Sequence, residues 1–259
     1  MLKNNFNKRG QITIFIIIAV LLVAAIILLF WFYNRDVTPV QPDAGENPQY
    51  NIEHCINSYV EKDVNKLIEN SGYIKKSNLT KNFNGQDIPY LCFVPINYAR
   101  CIVVEPVLIE HLEKEIYNDI KTKIAGCFNN LESEAEKSGY SVNMESGINF
   151  SINLIPGDVQ TIINKKITLS KAGEVKKFNE FEAKYHSNLY GMAIITQEIT
   201  RQESSYCGSD YANIMRTNTW AEIDKFQTGD DNKIYTIKDT TTNDEIKFAV
   251  RGCVLNTPS

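Results

Sequence analysis

Cys55, Cys92, Cys101, Cys127, Cys207 and Cys253 are the residues of this 259-residue chain whose chemistry is easiest to name. All six come after a long apolar run near the amino terminus, and none lies within or before it. Cysteines in such numbers cross-link, stay as buried free thiols or hold metal. An even count in a segment expected to lie outside a membrane reads as a disulfide framework, with many connectivities open in principle. Proximity ranks one set first: Cys92 with Cys101 across a turn, Cys55 with Cys127 from two apolar helix faces, and Cys207 with Cys253 as the remaining pair. Each bridge is expected to contribute about 2–4 kcal/mol. No Cys-x-x-Cys occurs, and His54 beside Cys55 is the only His–Cys adjacency, so neither a metal nor a cofactor is expected.

Other chemistry-bearing residues are sparse. His111 and Glu115 stand four apart on an expected helix, a spacing that can bring an imidazole and a carboxylate together but more often marks a solvated face. Glu198, Arg201, Gln202 and Glu203 cluster on a later helix, where a carboxylate pair for glycoside chemistry would need to flank a cleft. Asp224 and the turn Gly229-Asp230-Asp231-Asn232 offer oxygen ligands without the ordered spacing of a calcium loop, and read as an acidic hairpin turn. Asn78-Leu79-Thr80 and Asn149-Phe150-Ser151 match the N-glycosylation pattern, with Asn78 and Asn149 as acceptors. Dinucleotide, Walker, His-Glu-x-x-His and Gly-x-Ser-x-Gly signatures are missing, so no catalytic residue is assigned.

Charge and hydropathy locate the domain that carries these residues. Net charge is −4; Lys3, Lys8 and Arg9 put +3 on the first ten residues, which leaves −7 on everything after Gly10. That acidity repels phosphate backbones, and no nucleic-acid partner is expected. From Ile12 to Trp31 the only polar side chain is Thr13, and a helix of about 20 residues spans about 30 Å of hydrocarbon. The run is longer than a signal-peptide core and ends in aromatic residues, not in a small-residue cleavage site. The chain then divides into four segments: a cytoplasmic basic flank over 1–11, a transmembrane helix over 12–33 with the lipid bilayer as partner, a Pro-containing tether over 34–50, and an extracytoplasmic disulfide-supported domain over 51–259. The basic residues precede the helix, so the amino terminus stays cytoplasmic.

Lys8-Arg9-Gly10-Gln11-Ile12-Thr13 resembles the class III leader of archaeal pilins and flagellins. That resemblance implies cleavage between Gly10 and Gln11 and assembly through the adjoining helix. Phe15 stands where such pilins carry Glu, a departure that favours a permanent anchor. The wider Lys/Arg-Gly-Gln-Ile/Val-Thr-Ile-Phe opening, with Asp224-Lys-Phe-Gln-Thr-Gly-Asp and Phe-Ala-Val-Arg-Gly-Cys253 downstream, resembles uncharacterised single-pass membrane-anchored proteins of small-genome archaea. The second resemblance implies location and a coherent fold, and no activity.

The elements that must position these residues are read from periodicity. Ile52, Cys55, Ile56, Tyr59, Val60, Val64, Leu67 and Ile68 predict a helix ending at Ser71-Gly72. Extended pieces around Pro89–Val94 and Cys101–Val104 precede one long helix from about Pro106 to Lys137. Period-two alternation then predicts four antiparallel strands, 142–144, 148–155, 159–169 and 175–185. A helix over 189–204 and a closing hairpin, 234–238 with 246–251, complete an α+β domain of antiparallel sheet with helices on one face. The expected function is binding, adhesion or envelope interaction at the cell surface, with other surface proteins as partners. A pilin-like subunit and an anchored surface enzyme are the alternatives.

Overall fold

A computed structural model describes residues 17–27 and 44–255. The chain divides into two units, residues 1–42 and 43–259. In the first, residues 17–27 are helical (α1), and Ile17, Leu21 and Ile27 are exposed, as residues of an apolar run facing no protein neighbour would be. The leader junction at Gly10 and Gln11, residues 12–16 and 28–33 of the expected membrane span, and residues 34–43 of the expected tether lie outside the described residues. Among the described residues no helix is long and apolar enough to cross a membrane.

The second unit begins earlier than the expected boundary at residue 51. Ala44 is already buried, and helix α2 runs Pro48–Glu69, with Pro48 in its first turn and the Asn47 side chain accepting the Tyr50 N–H at 3.1 Å. Residues 44–50 therefore belong to the fold and not to the tether. The helix ends where Gly72 adopts φ +98° and its N–H returns to the Leu67 carbonyl. Strands β1 (Thr80–Phe83), β2 (Gln86–Phe93) and β3 (Ile102–Val103) come next, the first two joined by Asn84-Gly85, both left-handed.

The helix expected over 106–137 is two helices, α3 (Leu108–Ile120) and α4 (Ile124–Lys137), separated by a turn at 121–123. Ile116, Ile120, Ile124 and Cys127 keep the apolar stripe in phase across that break, which is why periodicity runs straight through it. Then come β4 (Ser141–Met144), β5 (Asn149–Ile155), β6 (Asp158–Lys171), β7 (Glu174–His186), α5 (Leu189–Tyr206), α6 (Tyr211–Thr217), β8 (Ala221–Gln227), β9 (Lys233–Asp239) and β10 (Glu245–Arg251).

The class is α+β, but the strands form two sheets. One is β1-β2-β10-β9-β8 with β3 beside β2, and its β2–β10 pairing is parallel; the other is antiparallel, with β6 between β7 on one side and β4 and β5 on the other. Helix α2 packs on β7 and β10, and α5 on β2, β9 and β10 as well as on β5 and β6, so both helices lie between the sheets. A layer buried on two sides must be apolar on two sides, and Ile52, Ile56, Leu67, Phe181, Tyr235 and Phe248 are fully buried there.

Helix side chains also close the edges of the antiparallel sheet. Gln49 and Asn57 of α2 donate to the β7 carbonyls of Glu182 and Lys184, at 2.5 and 2.9 Å. On the opposite edge Glu113 of α3 accepts the Leu154 N–H of β5 at 2.8 Å. Edge groups satisfied in this way cannot template pairing with another chain.

Candidate functional site: a polar cleft at the hairpin tip

The β9–β10 hairpin closes through Asp239 to Asp244, and the tip is built around one carboxylate. Asp239 is 1% exposed; its Oδ1 accepts the Thr241 N–H at 2.7 Å and the Thr241 hydroxyl at 2.5 Å, while its Oδ2 accepts the Asn188 amide at 2.6 Å. Burial alone would raise its pKa, but these hydrogen bonds outweigh burial and hold it below the ordinary carboxylate value. Asn188 is the N-cap position of α5, separated from the end of β7 by Ser187 alone. A side chain added at Gly191 would collide with Asn188 Oδ1, so glycine one turn into α5 gives Asn188 its room.

The hairpin tip, the β7–α5 junction and the Val64-Asn65 stretch of α2 enclose a cleft of about 400 Å³. No Lys or Arg lines it. Among the described residues the Asn65 amide and the Tyr185 hydroxyl have no hydrogen-bond partner, and Ser187 accepts the Leu189 N–H at 3.2 Å with its own O–H left to donate. Asp244 uses one carboxylate oxygen on the Thr242 hydroxyl, at 2.8 Å. Burial, with the nearby Glu61 and Asp244 charges, pushes the Tyr185 phenol up, so it stays a donor through the neutral range. His186, at the mouth, places Nδ1 3.3 Å from Asp158, and no Ser, Thr or Cys among the described residues bonds to its ring. The arrangement is thus a set of polar groups without protein partners around a tip held by Asp239.

The residues singled out in the sequence go elsewhere. Disulfides join Cys55 on α2 to Cys127 on α4, Cys92 in β2 to Cys101, and Cys207 at the end of α5 to Cys253 after β10, with Cα separations of 5.9, 5.3 and 5.7 Å. These are the pairs that proximity ranked first, and they fit an oxidising, extracytoplasmic environment. His111 and Glu115 do not converge on one atom: His111 Nε2 meets the Gly72 carbonyl at 2.9 Å, and Glu115 accepts the Ile74 N–H at 2.9 Å. Together they fasten the chain that leaves α2.

Glu198 and Glu203 point to different environments. Glu198 receives a two-pronged bond from Arg201 at 2.8 and 2.7 Å on the outer face of α5. Glu203, 1% exposed, accepts Lys233 Nζ at 2.5 Å and the Tyr235 hydroxyl, and Lys233 also donates to the Cys207 carbonyl at 2.6 Å. Burial, then the Glu203 hydrogen bond and charge, push the Tyr235 phenol far up. Between β8 and β9, Asp230 is paired with Lys81. Asn78 is exposed in the loop before β1, and Asn149 is exposed at the start of edge strand β5, so both acceptor amides are accessible.

Sequence reasoning missed Asn65, Tyr185, Asn188 and Asp239 as a group, because they come from α2, β7, the start of α5 and β9. The one available signal was Asp239-Thr-Thr-Thr, an acid whose next residues can fold back on it in an Asx turn.

No family model, curated protein or solved structure matches this chain.

Proposed function

We propose that this protein is a membrane-anchored, extracytoplasmic binding protein whose ligand site is the cleft between α2, the β7–α5 junction and the β9–β10 hairpin. The observation that carries the reading is the contrast inside the cleft: Asp239 is saturated and locks the walls, whereas Asn65 and Tyr185 face the space without partners. Asn65 is exposed and Tyr185 and Asp244 are half-buried, so these groups are open to an incoming ligand that replaces water with its own hydrogen bonds. The three disulfides support a domain working outside the cytoplasm. The apolar stretch over 12–33, with Lys3, Lys8 and Arg9 before it, supports a single crossing with the amino terminus inside.

Two measurements test this. Ligand-observed NMR of the full chain against a mixed set of neutral, cationic and anionic small molecules is expected to give binders that Asn65→Trp, which fills the cleft, abolishes. Binders indifferent to Asn65→Trp would put the site elsewhere. Amino-terminal sequencing of protein from native membranes is expected to return the uncleaved start; a chain beginning at Gln11 would replace the anchor with the pilin-like subunit.

A further inference from the structure

We infer that the cleft takes a neutral polyhydroxylated ligand, a sugar unit or a polyol of similar size. This inference rests on the reading of the cleft as the ligand site. Its grounds are which groups inside the cleft remain unpaired and what each can do.

The Asn65 amide offers two N–H donors and a carbonyl acceptor, and the Tyr185 hydroxyl offers a donor and acceptor lone pairs. Ser187 keeps its O–H to donate, since its oxygen already accepts from Leu189. Asp244 can only accept, through the oxygen Thr242 does not use. An occupant that pairs every group presents acceptors to the Asn65 N–H and Ser187 O–H groups, donors to Asp244 and the Asn65 carbonyl, and either one to Tyr185. Vicinal hydroxyls do this because each one donates and accepts.

Other classes fit worse. A phosphate or carboxylate ligand finds no Lys or Arg in the lining and would lie against Asp244 and Asp239. An ammonium could donate to Asp244, the Asn65 carbonyl and the Tyr185 oxygen, but it has no acceptor for the Asn65 N–H and Ser187 O–H groups. Asp239 adds little pull on a cation, since its oxygens already receive Asn188, the Thr241 hydroxyl and the Thr241 N–H. An apolar ligand would bury Asn65, Tyr185 and Asp244 unsatisfied, a penalty of the kind that makes polar sites reject analogues lacking a hydroxyl. The volume, about 400 Å³, is that of a small-ligand site.

The test uses the full chain in a zwitterionic detergent without sugar headgroups. D-glucose, D-mannose, D-galactose and N-acetyl-D-glucosamine are probed by saturation-transfer NMR up to about 10 mM, where a Kd of about 1 mM is readily measured. Choline and inorganic phosphate serve as cationic and anionic probes. At least one sugar is expected to bind, and Tyr185→Phe and Asn65→Ala are each expected to weaken it by about tenfold without moving the melting temperature. Choline binding that Asp244→Asn abolishes, with no sugar bound, overturns the ligand class and leaves the cleft a binding site. Sugar binding unchanged in both variants overturns the placement. Binding of no probe at all overturns both the ligand class and the cleft as a site.

Discussion

Asn188 donates to Asp239 at 2.6 Å, and this one bond makes the start of α5 and the tip of the β9–β10 hairpin a single unit. With it cut, the hairpin would still be held by its ladder to β8, but its tip would no longer be registered against β7 and α2. The cleft is therefore as precise as Asp239 makes it.

Asp239→Ala is expected to lower stability by about 2–3 kcal/mol, since it removes several hydrogen bonds to a buried charged acceptor. The carboxyl is depressed in the fold, so its contribution is present above the ordinary carboxylate value and is lost as pH falls through the lowered one. Urea denaturation at neutral and acid pH checks both: the difference between wild type and Asp239→Asn should shrink as the solution is acidified.

Asp63 gives the opposite slope. It is fully buried on α2, its Oδ2 has no donor among the described residues, and it faces Asp119 of α3 with Lys123 beyond and Lys66 at 3.5 Å on its own helix. Burial first, then the hydrogen bond to Asp119 and its charge, raise its pKa from 3.8 to about 6. Asp119, by contrast, is lowered: burial opposes this, but Lys123 and the Asp63 hydrogen bond prevail. Asp63 therefore keeps its proton to a higher pH than an ordinary carboxyl. The folded state holds this proton where the unfolded chain has released it, so the contribution of Asp63 to stability falls as pH rises through that window. In Asp63→Asn, which keeps a donor, the fall between pH 4 and pH 6 should disappear.

The Glu203–Lys233 pair is expected to behave as a buried ion pair. Glu203→Ala leaves the Lys233 ammonium, its side chain 11% exposed, without its counter-charge, and should cost about 3–5 kcal/mol. The double change Glu203→Leu with Lys233→Met should recover most of that loss, because neither partner is then stranded. Thermal unfolding of the two variants side by side decides it; an equal loss in both would mean that shape and not charge dominates the site.

Disulfide removal should track loop length. The Cys55–Cys127 and Cys207–Cys253 bridges span 72 and 46 residues, against 9 for Cys92–Cys101. Chain entropy then assigns about 4.4, 4.0 and 2.6 kcal/mol respectively. Paired Cys→Ser variants measured by urea denaturation should rank in that order, with the Cys92–Cys101 pair least affected.

Most elements were legible because burial on one face leaves a period. The four strands from Ser141 to His186, α5 and the closing hairpin stand within a few residues of their expected bounds. Periodicity is uninformative elsewhere. The break between Ile120 and Ile124 keeps the stripe in phase and so is silent, and β1 is announced by the hairpin dipeptide Asn84-Gly85 and not by any alternation of its own. Strand β8 and helix α6 are short and only partly buried, with little alternation to detect.

The sequence by itself determined the apolar run, the acidic character of the chain beyond it, the cysteine count and the alternation of the main strands, all properties of composition or of neighbours along the chain. The tertiary structure decided the split into two sheets, since the parallel pairing of β2 with β10 joins residues about 160 positions apart that no local pattern links. It also decided the cleft. Asn65, Tyr185, Asn188 and Asp239 become one site only because α2 and α5 are buried between the sheets, and a side chain's partners across such a layer are fixed by packing and not by spacing.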